Sequence, residues 1–204
     1  PWWHWLRTPQ LGYPSPVTVA TYRLEWLLVG PSPWLFHTTN LALHAVAMLL
    51  CFRLGRRLGL ALTGALVATA IFGLHPLVAE PVSWVTGRKD LLAAVFVLAA
   101  TLETLGHPFH PRRPRSWVGA LLLLLGALSK PVVLFAVFAW PALHIILAEG
   151  LSQRDRWTRA AWSAAPAVVV GLVLFPIALG GQEATGSLRE RGPLDLARQA
   201  WYAA

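Results

Sequence analysis

Residues 117–148, WVGALLLLLGALSKPVVLFAVFAWPALHIILA, decide the fold class of this chain. One membrane-spanning helix needs about 20 apolar residues, and this stretch is considerably longer. Ser129-Lys130-Pro131 interrupts it, and proline disfavours helix for the residue before it and removes a backbone donor. We therefore predict two membrane spans that meet at Lys130.

The composition of the whole chain supports a membrane protein. Of its 204 residues, 56% are hydrophobic and only 13% are charged, whereas soluble domains carry about 25% charged residues. Apolar blocks that are candidates for further spans cover residues 35–52, 60–77, 91–105 and 161–179. The fold class that follows is all-α, a polytopic transmembrane bundle of about six spans.

The net charge of +8 would suggest a nucleic-acid partner in a soluble protein. Here the basic residues cluster in short loops between apolar blocks, which is how cytoplasmic loops are marked. With six spans, three arginine clusters fall on the same side: Arg53, Arg56, Arg57; Arg112, Arg113, Arg115; and Arg154, Arg156, Arg159. We therefore predict membrane lipids and no nucleic acid as partners, with residues 75–90 and 129–131 on the outer face.

Three regions follow from this topology. Residues 1–34 are an outer-face loop with an interfacial helix over 17–29, in which Arg23 and Glu25 lie near the headgroups. Residues 35–179 form the transmembrane bundle, and residues 180–204 are an incomplete outer-face loop. Because the chain begins at Pro1 without methionine and ends in an unfinished segment, we interpret it as a fragment.

A polar stripe lies in the first span. His37, Asn40 and His44 follow one helical face, and such a stripe faces protein or a water-filled cavity because lipid cannot satisfy it. The alternatives are a cavity wall or hydrogen-bonding contacts between helices. Residues at i and i+7 lie too far apart for one ion, so metal binding by the two histidines is disfavoured.

The segment from His75 to Asp90 gathers charge at the membrane surface. It contains Glu80, Arg88 and Asp90, and the planar fork of arginine suits phosphate oxygens. Either the segment contributes to a binding site, with its carboxylates orienting cations or assisting proton transfer, or it is a solvated interfacial loop with a structural salt bridge.

Lys130 lies about 20 Å along the helix from Trp117 at 1.5 Å per residue, within a hydrocarbon layer of about 30 Å. This places it below the outer surface. Either its side chain snorkels to the interface, or it faces a recessed pocket in which a basic residue binds the phosphate of a lipid.

Three motifs together resemble a known family. They are Phe36-His37-x-x-Asn40-x-x-x-His44, then Leu74-His75-Pro76-x-x-x-Glu80-x-Val82-x-Trp84-x-x-x-Arg88-x-Asp90-Leu91-Leu92, then Leu128-Ser129-Lys130. In this order and with similar spacing they resemble the transmembrane and tetratricopeptide-repeat protein O-mannosyltransferases and their bacterial relatives. The resemblance covers about residues 13–180 and implies a GT-C-like fold that lacks its first span.

The resemblance implies transfer of a sugar, typically mannose, from a polyprenyl-phosphate donor to a protein serine or threonine at the outer face. It implies donor-phosphate contacts by Arg88 and Lys130, and a cavity or acceptor side shaped by His75, Glu80 and Asp90. It assigns helix packing to His37, Asn40 and His44. The catalytic acidic pair is expected upstream of Pro1, and a divalent metal stays open.

The membrane implied is the bacterial inner membrane, or that of the endoplasmic reticulum. Two other classes of function stay open beside this one. A non-catalytic scaffold would use the polar residues only for packing. A transporter-like subunit would place its charges near the midplane of the bilayer, whereas the charges here gather at one face.

Overall fold

A computed structural model describes residues 15–107, 110, 112, 116–147 and 152–184. In these ranges the chain forms eight α-helices and two 3-10 turns, without strands. The helices are α1 (Pro16–Val29), α2 (Pro33–Arg57), α3 (Leu62–Leu74), α4 (Pro76–Ser83), α5 (Arg88–Gly106), α6 (Ser116–Ala127), α7 (Ala136–Leu147) and α8 (Gln153–Ala184), and the turns are Val85–Gly87 and Pro131–Phe135. The predicted loops over 1–14 and 185–204, and Arg113 and Arg115, lie outside the described residues.

Proline and glycine set several helix ends. Pro16, Pro33 and Pro76 each stand in the first turn of a helix, where the missing amide hydrogen costs nothing. Gly30 follows α1 with a φ of 78°, a conformation that side chains other than glycine rarely adopt. α1 therefore lies within one residue of the predicted interfacial helix.

The predicted break at Lys130 is confirmed. α6 ends at Ala127, and the amides of Ser129 and Lys130 turn back to donate to the Gly126 carbonyl at 3.0 and 2.8 Å. A 3-10 turn begins at Pro131 before α7 continues. The break leaves the lysine outside any helix.

The polar segment after α3 is helical rather than an open loop. α3 ends at Leu74, and α4 turns away from it by 57°. His75 is the residue between them, and its Nδ1 accepts a hydrogen bond from the Leu77 amide at 3.2 Å. The second apolar block therefore ends three residues before the predicted boundary at residue 77.

Two described helices, Pro33–Arg57 and Gln153–Leu174, are long and apolar enough to cross a membrane, and a third is added if the bent pair α3–α4 counts as one span. α5 carries three charges in its first turn and Glu103 near its end. α6 and α7 have 12 residues each. The helices occur where spans are predicted, while the number six and the GT-C arrangement remain predictions.

α5 is central to the bundle, since it packs against α2 on one side and α6 on the other. Small residues allow this close approach: Ala93 and Ala100 are buried, and a Cβ atom at Gly119 would lie 3.0 Å from the Thr104 hydroxyl. Leu123 and Trp140 complete the buried core on the side of α6 and α7.

The two ends of α5 differ in character. A Cβ atom at Gly106 would lie 3.7 Å from the Arg57 guanidinium, so the end of α5 meets the first arginine cluster. At its other end, about 27 Å away at 1.5 Å per residue, Arg88 contacts Glu25 and Asp90 contacts Lys130. The polar residues of the predicted site therefore lie at the end opposite this cluster.

Candidate functional site

Arg88 is fully buried and surrounded by protein groups. Its Nη1 lies 2.8 Å from Glu25 Oε2, its Nε donates to Asn40 Oδ1 at 2.9 Å, and its Nη2 donates to the Phe36 carbonyl at 3.0 Å. The Tyr22 ring covers the guanidinium, with its centroid 4.5 Å from Cζ. We call Arg88, Glu25, Asn40, Phe36 and Tyr22 the Arg88 cage; it joins α1, α2 and α5.

Two members of the cage also hold the 3-10 turn that precedes α5. Asn40 Nδ2 donates to the Trp84 carbonyl at 2.9 Å, and the Tyr22 hydroxyl donates to the Val85 carbonyl. Burial raises the pKa of Tyr22 to about 12; the Arg88 charge opposes this shift and the Glu25 carboxylate adds to it. The phenol is therefore a neutral donor at physiological pH.

Gly87 allows this turn to lie against α4. A Cβ atom at Gly87 would lie 2.6 Å from Pro81 Cα, which is closer than any side chain tolerates. Glycine is thus required where the chain passes α4 and delivers Arg88 into the cage.

The structure places Arg88 differently from the phosphate-binding position that the motif resemblance implies. Its guanidinium contacts the other members of the cage and the Thr21 hydroxyl, and a phosphate would reach it only if Glu25 or Asn40 moved. Glu25 is itself buried. The sequence contains one signal for the burial of Glu25. It is the single acidic residue before Glu80 and lies in an apolar run.

Asp90 and Lys130 form a second ion pair on another side of α5. Because a helix turns about 100° per residue, Asp90 points roughly opposite to Arg88, toward the break between α6 and α7. Each side chain of the pair is 31% exposed. This pair is partly exposed, whereas the Arg88–Glu25 pair is enclosed.

The Asp90–Lys130 pair stands at one end of a cavity of about 510 Å³, which we call the Lys130 cavity. Its α5 wall is the stripe Asp90, Ala93, Ala94, Val97 and Thr101, with the 3-4 spacing of a single helical face. From Asp90 to Thr101 the wall extends about 16 Å along the helix.

Trp140 and Thr101 lie at the far part of this wall. The indole Nε1 donates to Thr101 Oγ1 at 2.9 Å, and that hydroxyl donates to the Val97 carbonyl at 2.7 Å. The polar atoms of Trp140 and Thr101 are therefore hydrogen-bonded within the protein. Most of the remaining cavity lining consists of alanine, valine and leucine side chains. A cation at the mouth of an apolar cavity suits an amphiphile with an anionic head group.

The α5 wall of the cavity and Trp140 were not predicted from the sequence. The 3-4 stripe below Asp90 is visible in the sequence, but which side of α5 faces Lys130 depends on how the helices pack. His75 and Glu80 are exposed on or beside α4 and do not line this cavity. Of the residues predicted to act together, the structure brings Asp90 to Lys130 and keeps Arg88, His75 and Glu80 apart from that pair.

Two residues of the polar stripe are buried between helices. Asn40 belongs to the Arg88 cage, and His44 is buried with its Nε2 3.1 Å from the Gly73 carbonyl of α3. His37 is exposed on α2. Within the ranges that the structure describes, no group of three or more histidine, cysteine or acidic residues is arranged to hold a metal ion.

Comparison with known proteins finds relatives that are named protein O-mannosyl-transferases. The chain is 39% identical over 144 residues to protein O-mannosyl-transferase Tmtc2 of Drosophila melanogaster, which is 67% of this chain and 15% of that protein. It is 35% identical over 114 residues to Tmtc1 of the same organism, with 56% and 13% covered. It is 39% identical over 88 residues to TMTC3 of Mus musculus, with 43% and 10% covered.

These matches span only a small part of each relative. No protein-family model matches the chain, and no solved structure matches it. The relatives nevertheless carry one shared name and agree with the resemblance of the three motifs. The chain belongs to the family of the transmembrane and tetratricopeptide-repeat protein O-mannosyltransferases.

Proposed function

We propose that this chain forms the donor-binding side of a membrane glycosyltransferase. The enzyme transfers a sugar, mannose, from a polyprenyl-phosphate donor to a protein serine or threonine hydroxyl at the outer face of the membrane. In that reaction the bond between the sugar C1 and the phosphate oxygen breaks and a bond from C1 to the acceptor oxygen forms. The acceptor proton passes to a base, and the electron pair of the broken bond remains on the phosphate.

The Lys130 cavity is the observation that carries this proposal. A polyprenyl phosphate has an anionic head and a hydrocarbon chain, and the cavity offers a lysine at its mouth and an apolar wall of about 16 Å below it. Basic pockets between membrane helices bind lipid headgroups in this way. Lys130 is therefore the residue to which we assign the donor phosphate.

Arg88 has a different place in the same proposal. Its burial between Glu25 and Asn40 supports a positioning role, in which it fixes the start of α5 so that Asp90 faces Lys130. A direct phosphate contact by Arg88 remains a prediction that requires the cage to open. His75 and Glu80, which are exposed on the neighbouring turn, are assigned to the acceptor side.

The outer face and the multi-pass topology belong to the proposal as well. The arginine cluster at the end of α2 and the Asp90–Lys130 pair lie toward opposite ends of the bundle, and short basic loops are cytoplasmic. This supports a cavity that opens to the periplasm if the membrane is the bacterial inner membrane, or to the lumen if it is that of the endoplasmic reticulum.

The experiment is a transfer assay with the protein expressed from its complete gene in lipid nanodiscs, using polyprenyl-phosphate mannose and an acceptor protein. Lys130→Gln removes the cation and keeps a polar, unbranched side chain that is one bond shorter. We expect it to lower transfer about 10-fold or more, the scale of one lost charge-assisted phosphate contact. Arg154→Gln removes an exposed cation from the first turn of α8 and is the matched control.

Transfer that is unchanged by Lys130→Gln would favour a non-catalytic scaffold or a transporter-like subunit over the proposed donor site. Loss of transfer in both variants would point to a general effect of charge on folding. Thermal unfolding of each variant separates that outcome from a specific loss of donor binding.

A further inference from the structure

The Asp90–Lys130 pair has a property that the enclosed Arg88–Glu25 pair lacks. Both of its side chains are about one-third exposed, and they are the charged residues of the cavity lining. Exposed ion pairs contribute little net stability because water and salt screen them. Asp90 can therefore leave Lys130 at low cost when another anion enters the cavity.

A phosphate that entered the Lys130 cavity would meet a lysine already bound to a carboxylate. Charge-assisted hydrogen bonds from an ammonium to a phosphate are strong, while an uncharged head group has nothing to offer in exchange for Asp90. The carboxylate therefore competes with anionic head groups for Lys130, whereas a neutral head group leaves the Asp90–Lys130 pair in place.

We propose that Asp90 is an exchangeable internal anion: it holds Lys130 while the cavity is empty, yields it to the lipid phosphate, and retakes it as the product leaves. This inference rests on the proposed function. Sugar transfer converts a phosphodiester with one negative charge into a phosphomonoester whose second ionisation lies near pH 6. The product therefore carries nearly two charges at neutral pH and would bind Lys130 more tightly than the donor.

Asp90 opposes this product retention. Its carboxylate remains on α5 beside the phosphate, where a like charge disfavours the second negative charge of the product more than the single charge of the donor. Asp90 thus acts on release of the lipid phosphate rather than on the chemical step.

Binding measurements with two lipids of equal chain length test the proposal. The probes are a polyprenyl monophosphate and the corresponding neutral polyprenol, bound to the protein from its complete gene in nanodiscs and detected by native mass spectrometry. We expect Asp90→Asn to tighten binding of the monophosphate about five-fold, on the scale of one weak ion pair, and to leave polyprenol unchanged. Asp155→Asn, the same substitution in the first turn of α8, should change neither.

A double variant makes the test specific. In a Lys130→Gln background the gain from Asp90→Asn should disappear, because there is no lysine left to release. Steady-state transfer by Asp90→Asn should show stronger inhibition by added polyprenyl monophosphate. Asp90→Ser, which also removes the charge, should shift binding in the same direction and guards against a folding defect of one variant.

Weaker or unchanged monophosphate binding in Asp90→Asn and Asp90→Ser overturns the proposal and makes Asp90 a residue that positions Lys130. The proposed function fails in a different way. If Lys130→Gln binds monophosphate and polyprenol in the same ratio as the unaltered protein, the donor site itself is wrong, whatever Asp90 does.

Discussion

Arg88 and Glu25 form an ion pair 2.8 Å long between Nη1 and Oε2, and it attaches the outer helix α1 to the start of α5. The arginine side chain is fully buried and that of the glutamate is 11% exposed. Burying two charges is costly unless each remains paired. The hydrogen bonds that Arg88 donates to Asn40 Oδ1 and to the Phe36 carbonyl complete the pairing of the arginine.

Removing one partner of this pair should destabilise the protein strongly. Glu25→Gln leaves the guanidinium without its counter-charge, and we expect a loss of about 3–5 kcal/mol in the free energy of unfolding. Thermal unfolding in detergent, followed by circular dichroism, measures the effect. The double variant Arg88→Met, Glu25→Leu leaves no charge unpaired and should be more stable than Glu25→Gln; equal stability would contradict the role of the ion pair.

Tyr22 should make stability depend on alkaline pH. Its pKa rises from 10.0 to about 12 in the folded protein, chiefly through burial, so the unfolded state loses the phenolic proton first. The stabilisation is present below pH 10.0 and is lost as the pH rises toward about 12. Unfolding midpoints across this window measure it.

The control variant is Tyr22→Phe, because phenylalanine has no hydroxyl that can ionise. It also lacks the hydrogen bond to the Val85 carbonyl, so it should be less stable by about 0.5–1.5 kcal/mol at neutral pH. The difference between the two proteins should shrink above pH 10.0. A difference that stays constant to pH 12 would show that the phenol is not shielded by burial.

Gly87→Ala should loosen the start of α5. The added methyl group would overlap the Pro81 backbone, and forced overlap of this kind typically costs about 1–3 kcal/mol. The control is Gly64→Ala in α3, where the new Cβ atom would lie 3.8 Å from the Leu60 side chain and alanine favours the helix. We expect a lower unfolding temperature for the first variant only; equal temperatures would mean that α4 can move aside.

The far part of the Lys130 cavity depends on one hydrogen bond. Thr101→Val removes the acceptor of the Trp140 indole, and an unpaired buried donor costs about 1–3 kcal/mol. Trp140→Phe removes the donor instead. A double-mutant cycle on unfolding free energy should show that the two substitutions are not additive, and strict additivity would contradict the contact.

Local signals predicted the helices well because they act through the backbone of the residues that carry them. Ser129-Lys130-Pro131 breaks the long apolar stretch where predicted, and Gly30 ends α1 close to the predicted boundary. The segment after Leu74 was harder to predict. Its charges and prolines suggested a loop, but α4 is a short helix that begins at Pro76 and contains Pro81 within it.

Contacts between residues on different helices could not be predicted from the sequence patterns. Helical period shows that Arg88 and Asp90 face different sides, but it does not say which side meets α1 and which meets Lys130. Glu25 and Arg88 are separated by three helices and a turn, so their contact depends on how α1 folds back over α2. For the same reason His44 is buried against α3 while His37, on the same predicted stripe, is exposed.

The close succession of Arg88 and Asp90 makes the region intolerant of a change in length. Inserting one residue after Gly87 would rotate all of α5 by about 100° relative to the turn before it. The arginine would leave its enclosure and the aspartate would no longer meet the lysine, although no chemical group had been lost. The spacing of Gly87, Arg88 and Asp90 therefore determines both ion pairs at once. In a sequence alignment, a gap within these residues should be interpreted as a loss of both contacts.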